Sequence, residues 1–487
     1  MQRADSFSSR WGLLLASLGM AIGAGNIWRF PRVVSQHGGG AFMVAWLVAL
    51  FAWSIPLLII ELYWGSRSRR GPVGAFASVA GPGWSWAGGF VALCCSGIMF
   101  YYAVVTGWCL YYLGSAATGG LDPGTVAARW NGFVGSAWPA AFLALAIGLC
   151  IAVVALGVRR GIERVSRVLI PLLFILLFAS ALRALTLPGA ERGLERMFRP
   201  NFHLLLEHRV WLEAFSQSAW STGAGWGLLL VYGGYMQKRA DVVLDAAITG
   251  LGNNAASLLA GFAVLPTVFA LLPLEQAEQV SSAGNEGLAF IWMPRLFLSG
   301  EMPGGPLLLL VFFAALAVAA LSSLVAMVEL AIRTLMDFGI KRRAAVLVVA
   351  TAGFLLGLPS ALSLSFFKNQ DWVWGLGLLL SGALFALGTA VHGVRRLRDT
   401  INSKKLGLRL GRWFDWLVVG VIPAAFVVMV LWWFYQSVEW EPGFSDPLAT
   451  FSLGTCLLQW AVALGALGLL NRWMSRKVLA AGQEPGP

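Results

Sequence analysis

From Trp11 onward this chain is a succession of apolar runs, each near the 20 residues that a helix needs to cross the hydrocarbon of a bilayer. They lie at 11–35, 40–64, 87–113, 138–157, 166–187, 210–236, 242–272, 306–338, 344–364, 372–392, 412–435 and 450–471. Runs of this length leave lipid no alternative to helix, because every backbone N–H and C=O must be satisfied within the segment. The fold class expected is therefore an all-α membrane protein with twelve transmembrane helices. Composition agrees: 58% of residues are hydrophobic and 12% charged, against roughly 25% charged in a soluble domain.

The net charge is +12, and its placement excludes nucleic acid as a partner. Arg67, Arg69 and Arg70, then Arg159, Arg160, Arg164 and Arg167, then Lys238 and Arg239, then Lys341, Arg342 and Arg343, fill the gaps after even-numbered runs. A basic segment from Arg395 to Arg412 and a tail with Arg472, Arg476 and Lys477 continue the pattern. Basic residues mark the cytoplasmic side, so both termini are expected there, in a cell inner (plasma) membrane. The five cysteines all fall in apolar runs and form no C-x-x-C pair, which indicates neither a disulfide framework nor zinc. No H-E-x-x-H, nucleophile–base or cofactor motif is present, so no enzyme is expected.

Two runs are interrupted. The first contains "GMAIGAGNIWRFP" (19–31) and the sixth "QSAWSTGAGWG" (217–227). Glycine weakens a helix interior by about 1 kcal/mol relative to alanine, and lipid penalises freed backbone groups. Gly23-Ala24-Gly25 and Gly223-Ala224-Gly225 therefore mark places where unwound backbone lines a cavity. An unwound span offers N–H groups and a positive dipole end to an anion, and carbonyl oxygens to a hard cation. Paired interruptions at corresponding places in two five-span halves point to a transporter site at the bilayer midplane between inverted repeats. The organisation expected is an N-terminal segment (1–10), a first repeat (11–187), a second inverted repeat (210–392), two further helices (412–471) and a cytoplasmic tail (472–487). The amphipathic stretch 274–300 reads as a helical hairpin in an extracellular loop.

"GNIWRFP…GGGAF" (25–31, 38–42) resembles the signature of the neurotransmitter:sodium symporter family. "YYAVVTGW" (101–108), "RRGIERVSR" (159–167), "LAFIWMP" (288–294), "ALSSLVAMVEL" (320–330) and "DWVWG" (371–375) follow in matching order through the tenth span. The resemblance implies sodium-coupled uptake of an amino acid by alternating access, with two sodium sites. The first would take Ala21, Asn26, Ser221 and Asn253 with a substrate carboxylate oxygen. The second would take Gly19, Ile22, Ala319, Ser322 and Ser323, an uncharged oxygen set suited to a hard monovalent cation.

Gly23 stands where amine-selective members carry aspartate, so the resemblance implies an amino-acid substrate. Its carboxylate would meet the amides of Gly23, Ala24 and Gly25 and the Tyr102 hydroxyl. The pocket walls would be Ala21, Ile98, Trp220, Ser221, Gly223, Trp226, Leu324 and Met327. The two tryptophans and Leu324 favour a small neutral substrate, whereas Ala219 and Gly223 open space, which leaves a larger hydrophobic amino acid as the alternative. A non-transporting amino-acid sensor of the same fold is a second alternative.

Arg29 and Asp371 match the family's extracellular gate, with Tyr102 and Trp220 beneath it. Asp337 and Tyr235 match the cytoplasmic gate, with Arg3 as the basic partner one residue out of register. Chloride is implied as a further ion, because Ser257 stands where chloride-independent bacterial members carry a carboxylate. Gln217, Ser221, Asn253 and Ser257 would surround it, with Trp46 in place of the usual tyrosine. Glu61 matches a glutamate that supports the unwound sixth span. Glu213 and Glu329 read equally as buried polar contacts or as charges offsetting bound ions.

Overall fold

The computed structural model describes residues 6–237, 240–403 and 407–481; Arg3, Lys238, Arg239 and the end of the tail lie outside them. Ten unbroken helices among the described residues are long and apolar enough to cross a membrane: Gly40–Ser68, Pro82–Ala117, Trp138–Ala155, Val158–Leu185, Val242–Leu271, Gly305–Asp337, Arg342–Leu362, Leu364–His392, Trp413–Trp440 and Leu453–Ala481. Span 1 is bent by 53° between Arg10–Ala21 and Ala24–Gln36. Span 6 is two pieces, His208–Thr222 and Leu228–Gly234, each too short to cross alone. Together these make twelve spans, and the two broken ones open successive sets of five.

The breaks have different causes. In span 1 only Ile22 and Gly23 leave the helix, both extended, with Gly23 as N-cap of the second half. Ala24 and Gly25, expected in the unwound stretch, already belong to the first turn of that half. In span 6 the interruption is wider, because Gly223, Gly225 and Gly227 all take left-handed φ values of 70°, 86° and 78°. Left-handed backbone costs a residue with a Cβ but not glycine. At Gly225 a Cβ would also come within 2.6 Å of Gly382 Cα, so span 10 packs directly on this buried turn.

The carboxylate of Glu61 crosses from span 2 to hold this turn. It accepts hydrogen bonds from the amides of Gly225 (2.6 Å), Leu229 (3.1 Å) and Leu230 (3.3 Å). The Ser381 hydroxyl donates to the Gly225 carbonyl. A fully buried acid is costly unless hydrogen-bonded. Here it answers the orphan N–H groups at the start of Leu228–Gly234.

Spans 3, 8 and 10 are among the most buried, and spans 11 and 12 lie at the periphery. The stretch 274–300 folds as helical pieces, Leu274–Ser282, Gly284–Glu286 and Gly287–Phe297 in a π turn followed by a short α turn. Phe290 within it stacks on Trp130 at 5.0 Å and meets Trp28 of span 1 edge-on at 5.8 Å. The helix of span 12 runs to Ala481, so residues 472–481, expected as a cytoplasmic tail, extend it as helix. Its far end is anchored, since Arg70 donates to the Val478 carbonyl at 2.9 Å.

Candidate functional site

A cavity of about 980 Å³ runs from between the two breaks to Glu278, Asn285 and Glu286 of the 274–300 stretch. Met20, Ala21, Gly23, Gly25 and Asn26 of span 1 line it, together with Tyr102, Trp220, Ser221, Gly223, Trp226, Ser323 and Met327. Arg29, Glu213, Asp371 and Lys368 line its upper part. The face carrying the chain ends is closed. Phe7 donates its amide to the Tyr235 carbonyl at 3.0 Å and packs its ring edge-on against Tyr232. Arg10 pairs with Asp245 at 2.7 Å, and Glu329 joins Arg342 (2.7 Å) to the Tyr235 hydroxyl (2.6 Å).

Beside the span 1 break is an oxygen-rich cage. Ser323 Oγ lies 3.3 Å from the Gly19 carbonyl, 3.2 Å from that of Met20 and 3.3 Å from that of Ile22. Ser322 Oγ is 3.0 Å from the Ala319 carbonyl on the same helix. Gly19, Ile22, Ala319, Ser322 and Ser323 are thus brought together, with Met20 as an oxygen the sequence reading missed. The carbonyls face inward because the break at Ile22 removes their i+4 partners. The donor set is neutral and all-oxygen, which fits a hard monovalent cation.

A second polar cluster joins span 1, span 6 and span 7. Asn26 Nδ2 lies 2.7 Å from Asn253 Oδ1 and 2.8 Å from Ser257 Oγ. The same end of the Asn253 side chain is 2.8 Å from the Ser221 carbonyl oxygen and 3.1 Å from that of Ala21. Ala21, Asn26, Ser221 and Asn253 are therefore assembled. Asn26, however, turns its oxygen away, to accept the Gly23 amide at 2.9 Å.

The remaining residues divide. The Tyr102 hydroxyl accepts the Ala24 amide at 3.0 Å, at mid-span and on the cavity wall. Trp220 and Trp226 meet edge-on at 5.8 Å, and a Cβ at Gly375 would touch the Trp220 ring at 2.4 Å. Ala24, Ile98 and Leu324 are fully buried and do not line the cavity. Leu324 therefore does not narrow the pocket: it faces its neighbours in the bundle. Leu376 and Leu379 of span 10 line it instead; directly after "DWVWG" and three residues apart, they share one helix face.

The gates differ from expectation. Arg29 makes no ion pair with Asp371; its Nη2 lies 3.8 Å from Glu213 Oε2 and donates to Ser216 Oγ at 3.2 Å. With the cavity open, the nearest carboxylate is on span 6. Asp337 accepts the amides of Gly71 (3.0 Å) and Gly74 (3.1 Å), capping the helix Pro72–Val79. Tyr235 bonds to Glu329, not Asp337. Arg3 lies outside the described residues. Of the chloride set, Ser257 and Asn253 touch Asn26, while Gln217 Oε1 and Trp46 Nε1 are buried with no hydrogen-bond partner.

Two broken helices, carbonyl oxygens turned into a cavity and a single open face define an ion-coupled membrane transporter. The chain belongs to the sodium:neurotransmitter symporter family, whose model matches residues 4–136 and 133–476. An uncharacterised sodium-dependent transporter of Methanocaldococcus jannaschii is 33% identical over 447 residues, covering 88% of this chain and 89% of its own. The sodium-dependent neutral amino acid transporter B(0)AT3 of Rattus norvegicus is 30% identical, covering 67% of this chain and 66% of its own. Among solved structures, MhsT in complex with L-phenylalanine superposes with a TM-score of 0.77 at 31% identity, covering 88% of this chain and 99% of that one. The fold is accordingly the two inverted five-helix repeats plus two helices of that family, and the protein is a multi-pass transporter, not an enzyme.

Proposed function

We propose that this protein imports a small neutral amino acid together with two sodium ions, by alternating access. The observation that carries the reading is the cage around Ser323, whose hydroxyl lies within 3.3 Å of three carbonyl oxygens freed by the span 1 break. Nothing acidic enters that cage, so binding there does not depend on releasing a proton. The second sodium would sit among Ala21, Ser221 and Asn253, and rotation of the Asn26 amide would bring its oxygen in.

The substrate ammonium has carbonyls of the broken spans as acceptors. Its carboxylate would take the Gly25 amide and the sodium beside Ala21, since the amides of Gly23, Ala24 and Asn26 are held by the Asn26 side chain, the Tyr102 hydroxyl and the Gly23 carbonyl. Ion and carboxylate then stabilise each other in a poorly solvated pocket, which couples their binding. With glycine at 23 there is no anion to hold a free amine. Trp220 and Trp226 on the wall favour a small side chain. The larger hydrophobic alternative draws on the cavity's extent, since at Gly223 even a Cβ would stand 2.7 Å from the Met20 sulfur.

Both termini would be cytoplasmic, which makes the open mouth extracellular. Chloride would stimulate transport by occupying the neighbourhood of Gln217, Ser221, Asn253 and Ser257, where Trp46 Nε1 is a buried donor without a partner. The test is uptake of common radiolabelled amino acids into proteoliposomes under an inward sodium gradient. Accumulation of glycine, alanine or serine that collapses when sodium is replaced by choline is expected. Binding without accumulation would identify a sensor, and stronger displacement by leucine or phenylalanine would overturn the size assignment. Equal uptake in sodium gluconate and sodium chloride would remove chloride.

A further inference from the structure

Arg29 stands in the throat between the binding cavity and its mouth, where two carboxylates face the same space. Glu213 and Ser216 are three residues apart on the half-helix His208–Thr222, hence on one face of it. Both hold the same nitrogen: Nη2 is 3.8 Å from Glu213 Oε2 and 3.2 Å from Ser216 Oγ. The other arm of the guanidinium, Nη1, is buried and has no hydrogen-bond partner. Asp371, on span 10, lines the same cavity and forms no ion pair with Arg29. An intramembrane arginine keeps company with an acid, and in the open cavity that acid is Glu213.

We propose that Glu213 is a latch on the expected Arg29–Asp371 gate: while the cavity is open it holds Arg29 back against span 6, and so competes with the pairing to Asp371 that closure brings. This rests on the transport reading above. Glu213 is thereby a positioning residue for the gating step: it stabilises the open state and never touches substrate. The equilibrium between open and closed depends on the difference between the two pairings, so removing one acid moves it in one direction only. The Arg29 and Glu213 side chains are 16% and 15% exposed. A partly solvated pair of this kind shifts such an equilibrium by about fivefold at most.

The test uses the full-length protein with a Lys368→Cys reporter in the upper part of the cavity, away from the substrate pocket. The five native cysteines are all buried, so labelling by a membrane-impermeant thiol reagent reports on the mouth. In sodium without substrate, Glu213→Gln is expected to slow labelling about fivefold and to tighten apparent substrate binding by the same factor, because closure is then less opposed. Glu213→Asp keeps the charge on a shorter arm and is expected to move both readouts less, in the same direction. Asp371→Asn is expected to keep labelling fast even with substrate present. Loss of packing alone would not slow labelling and tighten binding together. Labelling of Glu213→Gln at the parent rate or faster, in a parent that accumulates substrate, would overturn the latch. Failure of the parent itself to accumulate substrate would instead overturn the transport reading. Should Glu213→Gln not fold, the aspartate variant decides on the same two readouts.

Discussion

The serine at 323 carries more of the site than its size suggests. One hydroxyl reaches three carbonyls of span 1 and belongs to span 8, so it ties the moving helix to its neighbour. Ser323→Ala is expected to raise the sodium concentration for half-maximal uptake about tenfold, the factor carried by about 1.4 kcal/mol. Uptake measured across a sodium series checks this; an unchanged midpoint would remove the cage from the mechanism. Gly23 is the second decisive residue. A Cβ there would come within 2.9 Å of the Tyr102 hydroxyl and 3.2 Å of Ser323 Oγ. Gly23→Ala is expected to fold but to lose substrate accumulation by an order of magnitude or more, as read by uptake at fixed protein level.

The helical elements show which parts of the architecture were legible and which were not. Glycines, asparagine and arginine inside an apolar run announced the breaks, because no membrane anchor tolerates them without a reason. The width of each break was not legible. It depends on which amides find partners, and at span 6 that is decided by Glu61, 164 residues away from Gly225 in sequence. Pocket membership failed for the same reason: Leu324 and Ile98 are apolar on helices that are apolar all round, so spacing alone does not say which side meets the cavity. Gly225→Ala combines a left-handed φ of 86° with a 2.6 Å approach to Gly382. It is expected to cost about 3 kcal/mol or more. Glu61→Gln leaves amides competing for a weaker acceptor, at about 1–3 kcal/mol. Thermal denaturation followed by size-exclusion chromatography orders these two against the parent, and a Gly225→Ala protein as stable as the parent would contradict the packing described for the span 6 turn.

For the whole molecule, one face is open and the other sealed, and the seal has named parts. Phe7 fills the space between Tyr232 and Tyr235, and Arg10 pairs with Asp245. Phe7→Ala is expected to loosen the seal. A cysteine on the cavity wall behind the seal, such as Leu228→Cys, would then react several-fold faster with an impermeant thiol reagent supplied from the terminal face, while sodium-driven uptake falls. Reaction at the parent rate would place the closing contacts elsewhere. The choice of contacts was not legible in the sequence, because Phe7, Asp245 and Glu329 come from distant parts of the chain.

The last helix has a practical corollary. Since Leu453–Ala481 is one continuous rod, fastened near its tip by Arg70 and stacked through Trp473 on Phe338, a fluorophore on its exposed side, at Arg476, would be held by those contacts. It makes a reference against which a second dye on the N-terminal segment can be ranged.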